Sequence, residues 1–119
     1  MHNLPHDHGQ NIEAILLNSP SSDDFFTVSN IFQQLSDPKR LQLFWILCHC
    51  EECVINLSAM MNMSSPAISH HLRQLKVNGL IISSRHGKEV YYKASKSTSA
   101  DALHKIIEQM IVISCPDNN

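Results

Sequence analysis

Residues 56–81, NLSAMMNMSSPAISHHLRQLKVNGLI, decide the fold. The spacing predicts a short helix from about Asn56 to Met61, with Asn56 as its cap. Asn62-Met63-Ser64 makes a tight turn. A second helix opens with Ser65 as cap and Pro66 in the first turn, where a missing N–H does no harm. It runs to Asn78, and Gly79 stops it. Ile68, Leu72 and Leu75 fall on one stripe, while Ser69, His70, Arg73, Gln74 and Lys76 fall mostly on other faces. Two helices joined by a tight turn, the second with a polar and basic face, make a helix-turn-helix.

The segments on either side extend that pattern. LIISSRHGKEVYYKA, residues 80–94, reads as two β-rich runs around Arg85-His86-Gly87-Lys88, a hairpin with a basic tip. Upstream, Asp37 caps a helix over about 38–50, with Pro38 in its first turn. Leu41, Leu43, Phe44, Trp45, Ile46 and Leu47 make it apolar nearly all round, so it belongs at the centre. Phe25, Val28, Ile31 or Phe32, and Leu35 give an earlier helix with one buried face. Residues 11–18 form a short amphipathic helix. A last helix over about 99–114 carries Leu103, Ile106, Ile107, Met110, Ile111 and Ile113 at helical spacing. The expected class is mainly α with a small β-hairpin wing, a winged helix-turn-helix. The expected organisation is a flexible His-containing arm at 1–10, the domain at 11–114 and a tail at 115–119.

Composition agrees with one soluble domain. The 119 residues suffice for one core, and an apolar fraction of 43% is ordinary for a globular protein. No apolar run crosses a bilayer and MHNLPHDHGQ has no signal-peptide character, so no membrane association and a cytoplasmic location are expected. The net charge of −2 hides an asymmetry. From Ser64 to Lys96, six bases (Arg73, Lys76, Arg85, Lys88, Lys93, Lys96) face one acid, Glu89. Before Ser64, Asp7, Glu13, Asp23, Asp24, Asp37, Glu51 and Glu52 outnumber Lys39 and Arg40. A basic block inside an acidic chain suits a polyanion-binding face. The major groove admits one helix, and small polar residues at the start of the second helix let it sit deep. Arg73 reaches a phosphate or a guanine edge, and Arg85 and Lys88 reach the neighbouring backbone or minor groove.

LSDPKRLQLFWILC, NLSAMMNMSSPAISHHLRQLKVNGLI and GKEVYYKAS resemble the ArsR/SmtB family of metal-sensing repressors, closely over residues 30–96. The resemblance implies a homodimeric repressor that leaves its double-stranded DNA operator when an inducer binds. It implies that Ser65, Ala67, Ser69, His70 and Arg73 face the major groove, with Arg85, His86 and Lys88 on the wing; the residues of the second helix themselves add Lys76, farther along. A dimer built on the 11–18 and 99–114 helices would set two reading helices about one DNA turn apart, so the operator is an inverted repeat.

CHCEEC, residues 48–53, gathers three cysteines and a histidine. Clustered Cys in a reducing compartment points to metal or redox chemistry before a disulfide. The family places one metal site at a Cys-x-Cys in a string that matches Cys53-Val54-Ile55-Asn56-Leu57. Cys53 keeps the first ligand position and Ile55 replaces the second. Cys50, three residues earlier, offers a substitute thiol for a thiophilic ion such as Zn, Cd or Pb. His6 and His8 on the arm, and Cys115 after the last helix, complete the expected ligand set. A second family site falls on Lys96, Thr98, Gln109 and Val112, none of them a convincing ligand. His104 reads as a surface residue. Cys48 reads as a small buried hydrophobe, His49 as a helix-end cation or spare ligand, and Glu51 and Glu52 as solvated turn residues.

Three alternatives stand beside metal sensing. One keeps the repressor and makes the trigger oxidation or persulfidation of Cys50 or Cys53 with Cys115. Another is a small thiol enzyme or metal carrier. The last is a DNA-binding protein with no ligand at all. No βαβ pattern, no Gly-rich phosphate loop and no acid/base pair accompanies the Cys-x-x-Cys, so an enzyme is not expected.

Overall fold

The computed structural model describes residues 4–115. The elements run α1 (Ile12–Leu17), α2 (Ser22–Gln34), α3 (Pro38–His49), β1 (Glu52–Cys53), α4 (Val54–Met61), α5 (Ser65–Val77), β2 (Ile81–His86), β3 (Glu89–Ala94) and α6 (Thr98–Ser114). The chain divides into two compact units, Met1–Asn30 and Ile31–Asn119.

In the first unit, Asn11 caps α1 by accepting from the Ala14 amide at 3.1 Å. Ser21 and Asp24 cap α2 reciprocally. The Asp24 amide donates to Ser21 Oγ, and the Ser21 amide donates to Asp24 Oδ2, both at 3.1 Å, the logic of a capping box. The expected buried face of α2 is a correction. Phe25, Phe26 and Val28 are exposed and only Ile31 and Leu35 are half-buried. Neither α1 nor α2 contains a fully buried residue.

The second unit holds the core. Asp37 Oδ1 accepts from the amides of Lys39 and Arg40 at 2.9 and 3.0 Å, and Pro38 opens α3. Leu43, Phe44 and Leu47 point inward and meet Leu57, Ile68, Leu72, Leu75, Leu80 and Leu103. The expected all-round burial of α3 holds for one side only. Trp45 is 36% exposed, and Leu41 is half-buried.

α4 begins two residues before the position expected from Asn56. Cys53 sits at its cap without a capping side chain, and Asn56 instead donates to Glu52 Oε1 at 2.8 Å. Asn62 takes the left-handed conformation at φ 53°, which closes the turn. The cap of α5 is Ser64, whose Oγ accepts from the Ala67 amide at 3.2 Å; Ser65 is already helical. Gly79 at φ +74° ends α5, with the Leu80 amide returning to the Leu75 carbonyl at 3.0 Å.

β2 and β3 pair from Ile81↔Ala94 to His86↔Glu89. Their two-residue turn, Gly87-Lys88, has φ +65° at Gly87 alone, the requirement of a type II′ hairpin. β1 adds a third antiparallel strand, Glu52↔Tyr92 and Cys53↔Tyr91, in the order β1-β3-β2. That short strand was not expected from the sequence. Among the described residues no helix is long and apolar enough to cross a membrane.

Candidate nucleic-acid interface and metal donors

The period of α5 sorts its side chains. Ile68, Leu72 and Leu75 are buried. His70, Arg73 and Lys76 are exposed, as are Ser65 and Pro66 at the helix start, and Ala67 and Ser69 are half-buried. His71 turns inward instead. Its Nδ1 lies 3.5 Å from Arg40 Nη1, and burial holds its imidazole below the usual value.

α5 and the wing are tied together. Lys76 Nζ donates to Ser83 Oγ at 2.7 Å. Arg85, His86 and Lys88 are exposed. His86 leans back from the tip, with Nε2 2.9 Å from Ser84 Oγ and 3.6 Å from Glu51 Oε1, and its ring edge-on to Tyr91 at 4.9 Å. Arg73, Arg85 and Lys88 therefore form the outward cationic set. A polyanion meets them without first breaking a packed contact.

The expected metal donors are spread. Cys50 is half-buried and its thiol donates to the Ile46 carbonyl at 3.4 Å. Burial, with Glu52 nearby, pushes that thiol up from its ordinary value. Cys53 is buried between β1 and α4. Cys115 is exposed at the end of α6, and His6 and His8 stack at 5.9 Å within the first unit. Soft thiols at Cys50 and Cys53 fit a thiophilic ion in donor chemistry. Among the described residues, no third His, Cys, Asp or Glu atom converges on that pair within 4.8 Å. Cys48 is half-buried against the core, and burial, then Glu108, pushes its thiol up to about 11.

The three donors that do converge are His49, His104 and Glu108, whose ligand atoms lie within 4.8 Å of one another. From the sequence, His49 reads as a helix-end cation or spare ligand and His104 as a surface residue, and nothing there joins them to Glu108. The group's intrahelical signals were visible, since His104 and Glu108 are one turn apart, as are Trp45 and His49. The crossing of α3 with α6 that joins them was not.

Comparison with known proteins follows the same outline. The family model described as "Bacterial regulatory protein, arsR family" matches residues 37–83, from the α3 cap into β2. The transcriptional repressor SmtB homolog of Synechocystis sp. is 32% identical over 90 residues, covering 76% of this chain and 68% of that protein. The chain belongs to the ArsR family. This ArsR-family chain is also similar to the cadmium resistance transcriptional regulatory protein CadC of Listeria innocua, at 40% identity over 67 residues, 56% of each. Its fold matches the homodimeric winged helix-turn-helix DNA-binding domain from Mycobacterium bovis, with a TM-score of 0.64 at 22% identity, covering 88% of this chain and 89% of that one. The ArsR family is one of DNA-binding transcriptional regulators, not enzymes. The winged helix-turn-helix expected from residues 56–94 is therefore the fold observed.

Proposed function

We infer that this chain is a homodimeric repressor that grips an inverted-repeat operator with α5 and the wing, and lets go when a thiophilic ion of the Zn, Cd or Pb type binds. The observation that carries the DNA half is the orientation of α5. Its buried stripe of Ile68, Leu72 and Leu75 turns His70 and Arg73 to solvent beside the exposed Arg85 and Lys88. Ser65, Ala67, Ser69 and His70 would meet base edges, and Arg73, Lys76, Arg85, His86 and Lys88 phosphates or groove edges.

Dimerisation has its own support. Phe32, Leu41, Trp45, Ile106, Met110 and Ile111 line an open apolar cleft of about 580 Å³. Ile113 is 72% exposed on α6. Contiguous apolar surface of this kind marks an interface. A second copy would cover it, with α1 and α6 as the dimerisation helices. Of the arm at 1–10 and the tail at 115–119, residues 1–3 and 116–119 lie outside the described residues.

The inducer would sit on Cys50 and Cys53, with Cys115, His6 and His8 as completing donors. Metal ligation and thiol oxidation both proceed through the thiolate, so the raised Cys50 thiol disfavours the two alike. The support for metal sensing is the donor chemistry of two soft thiols, Cys50 and Cys53, three residues apart. The test is a titration of reduced protein on DNA from upstream of its own gene with Zn, Cd, Pb, Cu(I) and arsenite. Release by one ion, lost in Cys50→Ser/Cys53→Ser, supports the reading. Retention of DNA in all five overturns it.

A further inference from the structure

Where α3 crosses α6, three side chains point at one another. His104 Nε2 lies 3.1 Å from Glu108 Oε1, His49 Nε2 lies 3.3 Å from the same oxygen, and the two Nε2 atoms are 3.2 Å apart. The triangle is nearly equilateral. A tetrahedral ion at roughly 2.0–2.1 Å from nitrogen and oxygen ligands spaces those ligands about 3.3 Å apart. The observed sides already match a metal's face.

Hydrogen bonding alone does not satisfy this triangle. For both imidazoles to donate to Glu108, both Nε2 atoms must carry hydrogen, and two N–H groups then face each other at 3.2 Å. If one accepts from the other, it no longer donates to the carboxylate. A cation at the centre takes both nitrogen lone pairs and the carboxylate together. An outer contact is in place as well, because Trp45 Nε1 donates to Glu108 Oε1 at 2.9 Å. Ligating carboxylates are commonly held by such a hydrogen bond.

We propose that His49, His104 and Glu108 form a second metal site, built within one chain, for a borderline divalent ion such as Zn²⁺, Co²⁺ or Ni²⁺. Two imidazoles and a carboxylate suit those ions, whereas Pb²⁺ and arsenite favour thiolates. All three ligands are partly exposed, so an ion enters from solvent and water fills the fourth position. The site shares no residue with the thiol set. It differs also from the last-helix family site, whose positions here are Lys96, Thr98, Gln109 and Val112. An ion there would pin the end of α3, which leads into β1 and α4, to the helix that bears the exposed Ile106 and Met110. Metal binding at the site is independent of DNA binding, and only its role as a second input rests on the repressor reading.

The test uses the reduced full-length chain as Cys50→Ser/Cys53→Ser, titrated with Co²⁺ and, by chelator competition, with Zn²⁺. Trp45, the one tryptophan, provides a local reporter. The expected result is one Co²⁺ per chain, visible ligand-field bands without a sulfur charge-transfer band, and quenching of Trp45 fluorescence. Adding Glu108→Gln or His104→Ala should weaken Zn²⁺ binding by about 100-fold, at least the loss seen when outer-shell partners of ligands are removed. Glu108→Gln keeps the shape of the side chain, so it carries the test if His104→Ala loses helix by circular dichroism. Absence of Co²⁺ binding in the Cys50→Ser/Cys53→Ser chain overturns the proposal. So does Zn²⁺ affinity unchanged by Glu108→Gln. Neither outcome touches operator binding, which is scored separately on metal-free protein.

Discussion

Lys76, near the end of α5, donates to Ser83 on β2 at 2.7 Å. This bond joins α5 to the wing, and exposed cations lie on both. Ser83→Ala removes the acceptor. Because the pair is exposed, the expected loss in unfolding free energy is only about 0.5–1 kcal/mol, read from the urea midpoint. Lys76→Ala should weaken binding evenly across DNA sequences and lower the salt slope by about 1, the signature of a phosphate contact.

The two sides of α5 should respond in opposite ways. Leu72 is 2% exposed inside the core. Leu72→Ala is expected to cost about 2–5 kcal/mol of stability. Arg73, its exposed neighbour, should cost little stability when changed to Ala and about 1–3 kcal/mol of operator affinity. Thermal melts and anisotropy titrations on the same preparations separate the two effects.

Much of this division was legible in the sequence, because the 3.6-residue period at Ile68, Leu72 and Leu75 is local information. The caps of α3 and α5 were legible to within a residue, but that of α4 was not, since Cys53 sits at the cap three residues before Asn56. Ser64 and Ser65 are both good caps, and the choice between them depends on where the chain leaves the Asn62 turn. β1 was not legible, since two residues have no period and Glu52 and Cys53 become a strand only by pairing with Tyr92 and Tyr91. The outer faces of α2 and α6 were readable as apolar but not as uncovered. The His49, His104 and Glu108 group was hidden because its members lie on two helices whose crossing is a tertiary fact.

The wing turn depends on Gly87. At φ +65° a Cβ is disfavoured even though the space around it is open. Gly87→Ala should therefore cost about 1–2 kcal/mol through backbone strain alone. The unfolding midpoint measures it, and affinity for DNA should fall as the tip carrying Arg85 and Lys88 is displaced.

Acid should loosen α3. The amides of Arg40 and Lys39 at the helix start hold the Asp37 carboxyl below its ordinary value of 3.8. A depressed folded-state pKa means the stabilisation is complete above that ordinary value and is lost as pH falls through the lower one. Asp37→Ala should remove about 0.5–2 kcal/mol at neutral pH. It should also flatten the stability curve below pH 4, which acid titration of the urea midpoint will register.

The thiols should react in a fixed order. Cys115 is exposed, while Cys48 is half-buried with its thiol pushed up to about 11. Timed alkylation of reduced, metal-free protein at pH 7.5, followed by mass spectrometry, should label Cys115 first and Cys48 far more slowly than Cys115.

The most direct measurement is the affinity of metal-free protein for DNA from its own regulatory region, for the native chain and for His70→Ala/Arg73→Ala. The account predicts a double variant with unchanged circular dichroism and binding weakened by at least tenfold, about 1.4 kcal/mol. A folded double variant that binds that DNA as tightly as the native chain would contradict it.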